Sequence, residues 1–310
     1  LKWSIAINLR ETVPEIVEKA ILADTGGMDS VWITDYPAVR LSPILASMVA
    51  RVTERIRIGI GLLSPFIYPS RQITQFMSTL IDRHGDRFDL LIGPGDKSRL
   101  KDIGVRLGKG ASIVNKIAET LASIREDLKD FGGCKIFLAA QGQRMVETSR
   151  SADGVILNFS DPEMIRWAIT ALGSVSNTFE IGIFPPTLII ESNDQKKQYG
   201  VRTSAGIVAL GMNSSLRSRF HLRGLLQPAS NILKERGKID EYVINQIDQD
   251  VSDRFCICAD LDSLCKRMRV FTESGVNLVV FGPPQGATLG GAKQLIQARK
   301  NCELLNVRGQ

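Results

Sequence analysis

Apolar, β-branched runs alternate along this chain with stretches whose apolar positions recur every three or four residues. The first kind reads as buried strand, the second as amphipathic helix. Trp3 to Leu9 predicts a first strand and Val13 to Asp24 a first helix. The order then repeats, with strand Ser30–Thr34 and helix Pro43–Val52, strand Ile56–Leu63 and helix Ser70–His84, strand Phe88–Ile92 and a helix from 111 to 130. Strands Lys135–Ala139 and Gly154–Asn158 follow, each trailed by a helix. A seventh strand, Phe179–Phe184, carries a further run Thr187–Glu191, and an eighth, Leu278–Phe281, precedes a last helix from Gly290 to Leu305. Strand-then-helix units in this number predict an α/β fold, a (β/α)8 TIM barrel. The region 192–260 breaks the rhythm: it is polar, helical in pattern and without a strong strand. It reads as a helical insertion after strand seven on the strand-end face, serving as a cover for the site or as a packing or assembly element. No Pro/Gly-rich linker interrupts the chain, so one domain over 1–310 is expected.

In such a barrel the residues just past each strand form the site. The fourth strand runs into Gly93-Pro94-Gly95-Asp96-Lys97, which presents bare backbone and one carboxylate. The second ends in Thr34-Asp35-Tyr36, where Asp35 either caps the next turn or faces the mouth. The third ends in Gly59-Ile60-Gly61-Leu62-Leu63-Ser64-Pro65, whose glycines indicate a bulge, close approach of something flat, or a barrel-closing kink. After strand five, Ala140-Gln141-Gly142 offers amide N–H groups to an anion. After strand six, Asn158 points to the mouth while Ser160 and Asp161 suit helix capping. Strand eight ends in Gly282-Pro283-Pro284, which clears the rim of side chains.

The rim is therefore glycine, main-chain amide, Gln, Asn and two carboxylates. The two histidines, His84 and His221, fall at a helix end and in the insertion, which argues against a Ser-His-Asp triad or a histidine metal site. Such a rim suits a large, planar, phosphate-bearing cofactor that brings its own reactivity. The net charge of +6 is dispersed, with no basic arm and no basic-aromatic interleaving, so no nucleic-acid partner is expected. A polyanionic small ligand fits it, as does a merely solvated surface. The absence of an apolar run of membrane-spanning length predicts no membrane partner. Leu1-Lys2-Trp3-Ser4-Ile5 reads as strand, not as a cleavable leader, and five scattered cysteines suit reduced thiols, so a cytoplasmic location is expected. Cys256-Ile257-Cys258 with Cys265 lacks zinc-module spacing and reads as structural thiols, with no metal.

The order Trp32-Ile33-Thr34-Asp35, Thr53-Glu54-Arg55-Ile56-Arg57-Ile58-Gly59-Ile60-Gly61, Pro65, and Gly85-Asp86-Arg87-Phe88 leading to Gly93-Pro94-Gly95-Asp96-Lys97 resembles the luciferase-like flavin and deazaflavin oxidoreductases. Ala140-Gln141-Gly142, Asp153 to Asn158 and Gly275-Val276 look most like the coenzyme F420-dependent methylenetetrahydromethanopterin reductase branch. The resemblance implies a deazaflavin at the barrel mouth, with FMN as the alternative cofactor. It also implies a non-prolyl cis peptide at Gly61-Leu62, and contacts to the ring and its tail from Gly61, Leu62, Leu63, Ser64, Asp96, Gln141, Gly142 and Asn158. The implied reaction is hydride transfer between the deazaflavin and a one-carbon unit on a pterin-like small molecule, in a homodimer or larger homo-oligomer.

Two positions depart from that pattern. The glutamate proposed as proton donor on the family's first strand aligns with Ala6, and the histidine expected after Thr34-Asp35 is Tyr36. Ser4, Ala6 and Asn8 share one strand face, and Asn is no general acid near neutral pH. Asp96 and Asp35 are left as the candidate catalytic carboxyls, with Glu11 in the first loop as a further one. An FMN-dependent monooxygenase and a catalytically silent cofactor-binding homologue are the competing expectations.

Overall fold

The computed structural model describes residues 1–8, 11–36, 39–108, 110–190 and 195–308. Among them the strands are β1 (Lys2–Ile7), β2 (Ser30–Ile33), β3 (Arg57–Leu63), β4 (Phe88–Ile92), β5 (Lys135–Ala140), β6 (Gly154–Leu157), β7 (Glu180–Ile183), β8 (Pro186–Ile189), β9 (Ile257–Ala259) and β10 (Leu278–Pro284). All pair in parallel. The order runs β1 to β7 and then β10, and β10 returns to β1 from Lys2↔Leu278 to Ile5↔Phe281. Those eight strands close a (β/α)8 barrel, the architecture expected from the alternating pattern.

Two details differ from expectation. The run after Phe184 is a separate strand, β8, because Pro185 and Pro186 have no N–H to continue the β7 ladder. β8 instead pairs with Gly282 and Pro284 of β10 and with β9. β9 itself lies inside the region read as having no strong strand, and three residues are too few for an alternation to show. The rest of that region is helical, from Gln195–Gly211 through Gln249–Asp253. Leu9 and Glu191, the expected ends of two strands, and residues 192–194 lie outside the described residues.

Side-chain alternation divides the apolar residues into two layers. Trp3, Ile5 and Ile7 point outward into the large cluster between barrel and helices, while Ala6 points inward. The inner cluster is Ala6, Trp32, Leu91, Phe137, Ile156, Leu278 and Val280, with Trp32 edge-on to Phe137 at 5.5 Å. A Cβ on Gly59 would stand 2.2 Å from the Trp32 indole, so glycine there is what admits the ring. The barrel interior is thus a packed floor, not a pore.

Outside the barrel, helix Val13–Thr25 starts on a capping box between Thr12 and Glu15 and turns Ile16, Lys19, Ala20 and Ala23 inward. At the opposite end of the barrel from the mouth, Arg57 forks onto Asp89 at 2.9 and 2.6 Å and ties β3 to β4. The cysteine expectation is corrected in one respect. Cys265 and Cys302, 37 residues apart, form a disulfide joining helix Leu261–Glu273 to helix Leu289–Arg308, while Cys134, Cys256 and Cys258 are free thiols. Scattered spacing along the chain concealed a Cα separation of 5.1 Å. No described helix is long and apolar enough to cross a membrane.

Candidate functional site

The mouth at the carboxyl ends of the strands is shaped by β3. Its pairing with β4 shifts register between Ile60 and Leu63, and the Gly61-Leu62 peptide inside that bulge is cis, at the position the resemblance implied. Gly61 has φ +138°, and a Cβ there would stand 2.3 Å from the Leu91 carbonyl oxygen, so no other residue fits. Gly93, at the end of β4, is required for a similar reason: a Cβ would meet Leu62 at 2.7 Å and Ala139 at 2.9 Å. Leu62, Ala139 and Phe184, each partly exposed, pack on top of the inner cluster. Together they make an apolar platform above Ala6 and Trp32. Leu63, by contrast, buries its side chain among the outer helices and offers the mouth only main chain.

Ser64 is buried and donates its hydroxyl to Pro94 O at 2.9 Å, which fastens the loop after β3 to the Gly93–Asp96 turn. That turn leads directly into a short helix, Lys97–Asp102, ahead of the helix expected from 111 onward. Asp96 explains it, since its carboxylate accepts the Arg99 N–H at 3.0 Å and its carbonyl accepts the Leu100 N–H. Asp35 stands at the end of β2 with both oxygens engaged. Oδ1 accepts from the Ser42 hydroxyl at 2.8 Å, and Oδ2 accepts from the Tyr68 hydroxyl at 3.0 Å. Burial pushes the Asp35 carboxyl above its ordinary range against those two hydrogen bonds. Burial, then the neighbouring Asp35 charge, push the Tyr68 phenol up as well.

Across the barrel, Gln141 reaches the Val208 carbonyl at 3.4 Å, and a Cβ on Gly142 would lie 3.1 Å from Asn213 Nδ2. Val208 and Asn213 of the 192–260 region therefore lie against the rim beyond β5. Ser160 and Asp161 are structural: Ser160 donates to Cys256 O at 2.9 Å, and Asp161 caps helix Pro162–Leu172 through Met164 N at 2.9 Å. Asn158 is different. Its Oδ1 is buried and has no hydrogen-bond partner among the described residues. A buried acceptor left unmade costs about 1–3 kcal/mol.

Glu11 does not reach into the mouth. Its carboxylate accepts from Asn8 N at 3.1 Å and pairs with Lys19 Nζ at 2.5 Å. Lys19 is fully buried, and it donates further to Gly286 O at 2.6 Å and Ala6 O at 3.5 Å. Burial pushes the Glu11 carboxyl up and the Lys19 ammonium down, each against the attraction of the other. The sequence did carry a signal for this missed residue, because position 19 falls on the same helix face as Ile16, Ala20 and Ala23. His84, at the foot of its helix, bonds Ser47 at 2.9 Å, and no group of His, Cys, Asp and Glu suited to a metal exists among the described residues.

A glycine-bulged third strand, an apolar platform and a buried acceptor unpaired among the described residues together mark the mouth of this (β/α)8 barrel. The model of the luciferase-like monooxygenase family matches residues 4–278, and the chain belongs to that family. It is 24% identical over 306 residues to the 5,10-methylenetetrahydromethanopterin reductase of Archaeoglobus fulgidus, covering 89% of this chain and 91% of that one. The solved coenzyme F420 dependent tetrahydromethanopterin reductase from Methanopyrus kandleri matches with a TM-score of 0.82 at 19% identity, covering 96% of this chain and 98% of that one. An F420-dependent secondary alcohol dehydrogenase, solved with an F420-acetone adduct, matches with a TM-score of 0.72 at 15% identity over 96% and 98%.

Proposed function

We propose that this protein is an F420-dependent oxidoreductase whose substrate is a small pterin-like molecule carrying a one-carbon unit. The observation that carries the proposal is the unpaired, buried Asn158 Oδ1 beside a platform that glycine at 61 and 93 keeps clear. A planar ring with an N–H edge satisfies both at once. The residues present fit such a cofactor: Leu62, Ala139 and Phe184 support a face, Gly61 to Ser64 contribute main chain, and Asn158 accepts from the edge. Gln141, Gly142 and Asp96 are assigned to the phosphate-bearing tail or the substrate. When bound, the deazaflavin supplies a hydride acceptor or donor.

The chain's own work is to hold two planes together and exclude water, and to manage one proton. Ala6 is buried in the apolar floor and has no proton to give. We assign proton handling to Asp35, whose raised carboxyl is held by Tyr68 and Ser42, and to Asp96 at the end of β4. Assembly as a homodimer is part of the same proposal, supported by Ile44, Met48 and Val52, an exposed apolar stripe along helix Ser42–Val52.

Titration of the purified protein with oxidised F420, followed by deazaflavin fluorescence, tests the proposal against a parallel titration with FMN. Saturable F420 binding is expected. Asn158→Leu should weaken it about 3- to 10-fold, the worth of one hydrogen bond, while leaving the unliganded fold at least as stable. Tight FMN binding without F420 binding would replace the deazaflavin with a flavin; binding neither would end the proposal.

A further inference from the structure

The loops after β2 and β4 touch each other over the end of β3. The Arg99 guanidinium lies 4.1 Å from the centroid of the Tyr36 ring. Tyr36 follows β2 and Arg99 sits in the helix after β4, and β3 is hydrogen-bonded between those two strands. A contact between them has to cross the rim just above the bulge at Gly61 and Leu62. The turn beneath is held still: Asp96 accepts the Arg99 N–H, and Ser64 holds Pro94. A Cβ added at Gly95 would stand 3.3 Å from Leu100 and 3.5 Å from Ser64, so the turn runs close between the helix and the β3 loop.

Both Tyr36 and Arg99 are half-buried, yet among the described residues no carboxylate or carbonyl accepts from the Arg99 side chain. Asp96 binds its main-chain N–H instead, and Asp35 is already taken by Ser42 and Tyr68. An aromatic face restrains a guanidinium through its flat side and leaves its edge of N–H donors pointing away. Lys97 and Lys101, on the same short helix, add positive charge. The rim thus holds a guanidinium fork laid on Tyr36, the residue that stands where the family resemblance led to a histidine.

Resting on the proposed deazaflavin site, we propose that Arg99, laid on Tyr36, is a specificity-determining residue that binds an oxyanion, a carboxylate above all, carried by the substrate. A planar fork matches a carboxylate bidentately, and such charge-assisted pairs are among the stronger hydrogen bonds. The site that has no acid at Ala6 and no imidazole at Tyr36 selects its substrate by charge at the rim.

The test uses the F420-loaded full chain and two matched probes, 6-carboxypterin and 6-hydroxymethylpterin, with binding read by calorimetry. The carboxylate is expected to bind about 10- to 100-fold more tightly than the neutral probe. Arg99→Met should abolish that preference, Arg99→Lys should keep part of it, and Tyr36→Leu should reduce it about 2- to 5-fold. F420 affinity and thermal midpoint should be unchanged in Arg99→Met. Equal binding of the two probes by the native protein, or no binding of either, overturns the inference while the deazaflavin site stands. A loss of F420 affinity in Arg99→Met also overturns it, because the oxyanion read would be the cofactor's. Failure of the native protein to bind F420 is the separate failure of the underlying proposal.

Discussion

Replacing Lys19 by Met isolates the energetic role of the buried charge pair beneath the first loop. The Lys19 side chain is 0% exposed, and the Glu11 carboxylate it pairs with at 2.5 Å is 11% exposed. Two carbonyls, Gly286 O and Ala6 O, complete its coordination and stitch the end of β1 to the turn after β10. Methionine matches the length but removes the charge, so Glu11 is left buried without its counter-ion. Breaking such a pair from one side costs about 3–5 kcal/mol. With an unfolding entropy of about 2.1 cal/mol/K per residue, a chain of this length should lose about 5–8 °C in thermal midpoint. The deficit should depend on pH. Burial already raises the Glu11 carboxyl, Lys19 opposes that rise, and Glu15 adds to it, while Arg40 bonds only the Glu11 carbonyl. Without Lys19 the folded-state value climbs further above the unfolded one. A raised folded value gives stability that is complete below the unfolded pKa and lost as pH rises through the folded pKa, so the variant should recover in mildly acidic buffer. Glu11→Gln combined with Lys19→Met removes both charges and should return to within about 1–2 kcal/mol of the native protein. Calorimetric or circular-dichroism melts of the three proteins between neutral and mildly acidic pH decide the matter. A double variant as unstable as Lys19→Met, or a Lys19→Met deficit indifferent to pH, would refute the assignment of the cost to an uncompensated carboxylate.

Gly61→Ala should cost about 1–3 kcal/mol from its backbone conformation alone, before the clash with Leu91 O is counted, and should lose F420 binding in a fluorescence titration. Thiol titration of the denatured, unreduced protein should find Cys134, Cys256 and Cys258 but neither Cys265 nor Cys302. Cys265→Ser should lower stability by up to about 4 kcal/mol, the chain-entropy value for a loop of this length, an effect that reductant reproduces in the native protein. Burial pushes the Glu180 carboxyl up, but hydrogen bonds from Lys135 and Lys2 outweigh it and the net shift is downward. Its contribution is therefore present above the ordinary carboxylate range and lost as pH falls through the lower folded value. Glu180→Gln should flatten the acid limb of a stability-against-pH curve.

The barrel was legible because period-two and period-three-to-four apolar patterns alternate along most of the chain, and each pattern has one way to be buried. The cis peptide at Gly61-Leu62 and the helical stretch within 192–260 followed from resemblance and from interrupted rhythm. What escaped was set by contacts between distant residues. The Cys265–Cys302 bond spans 37 positions, Lys19 meets Gly286 across the barrel seam, and Arg99 meets Tyr36 over an intervening strand. Asp96 was legible as a rim carboxylate, but its use as a helix cap depended on a six-residue helix that glycine and proline concealed. Asp35 was legible either as a cap or as a mouth residue. Its Tyr68 partner, 33 residues onward, was not visible in local spacing.

The departures at Ala6 and Tyr36 bear differently on cofactor and substrate, and the geometry says why. The features that would hold a ring are main chain and missing side chains: the bulge at Gly61, the cleared space at Gly93 and the platform of Leu62, Ala139 and Phe184. Ala6 lies one layer below that platform, packed among Trp32, Phe137 and Ile156, so its identity alters what the floor can donate without altering its shape. Tyr36 lies at the rim under Arg99, so its identity alters what the opening attracts. On the proposed reading, proton supply and charge selection therefore change in this barrel while the ring's bed does not. Cofactor affinity and substrate choice are separable measurements here, and a variant at Arg99 should move only the second.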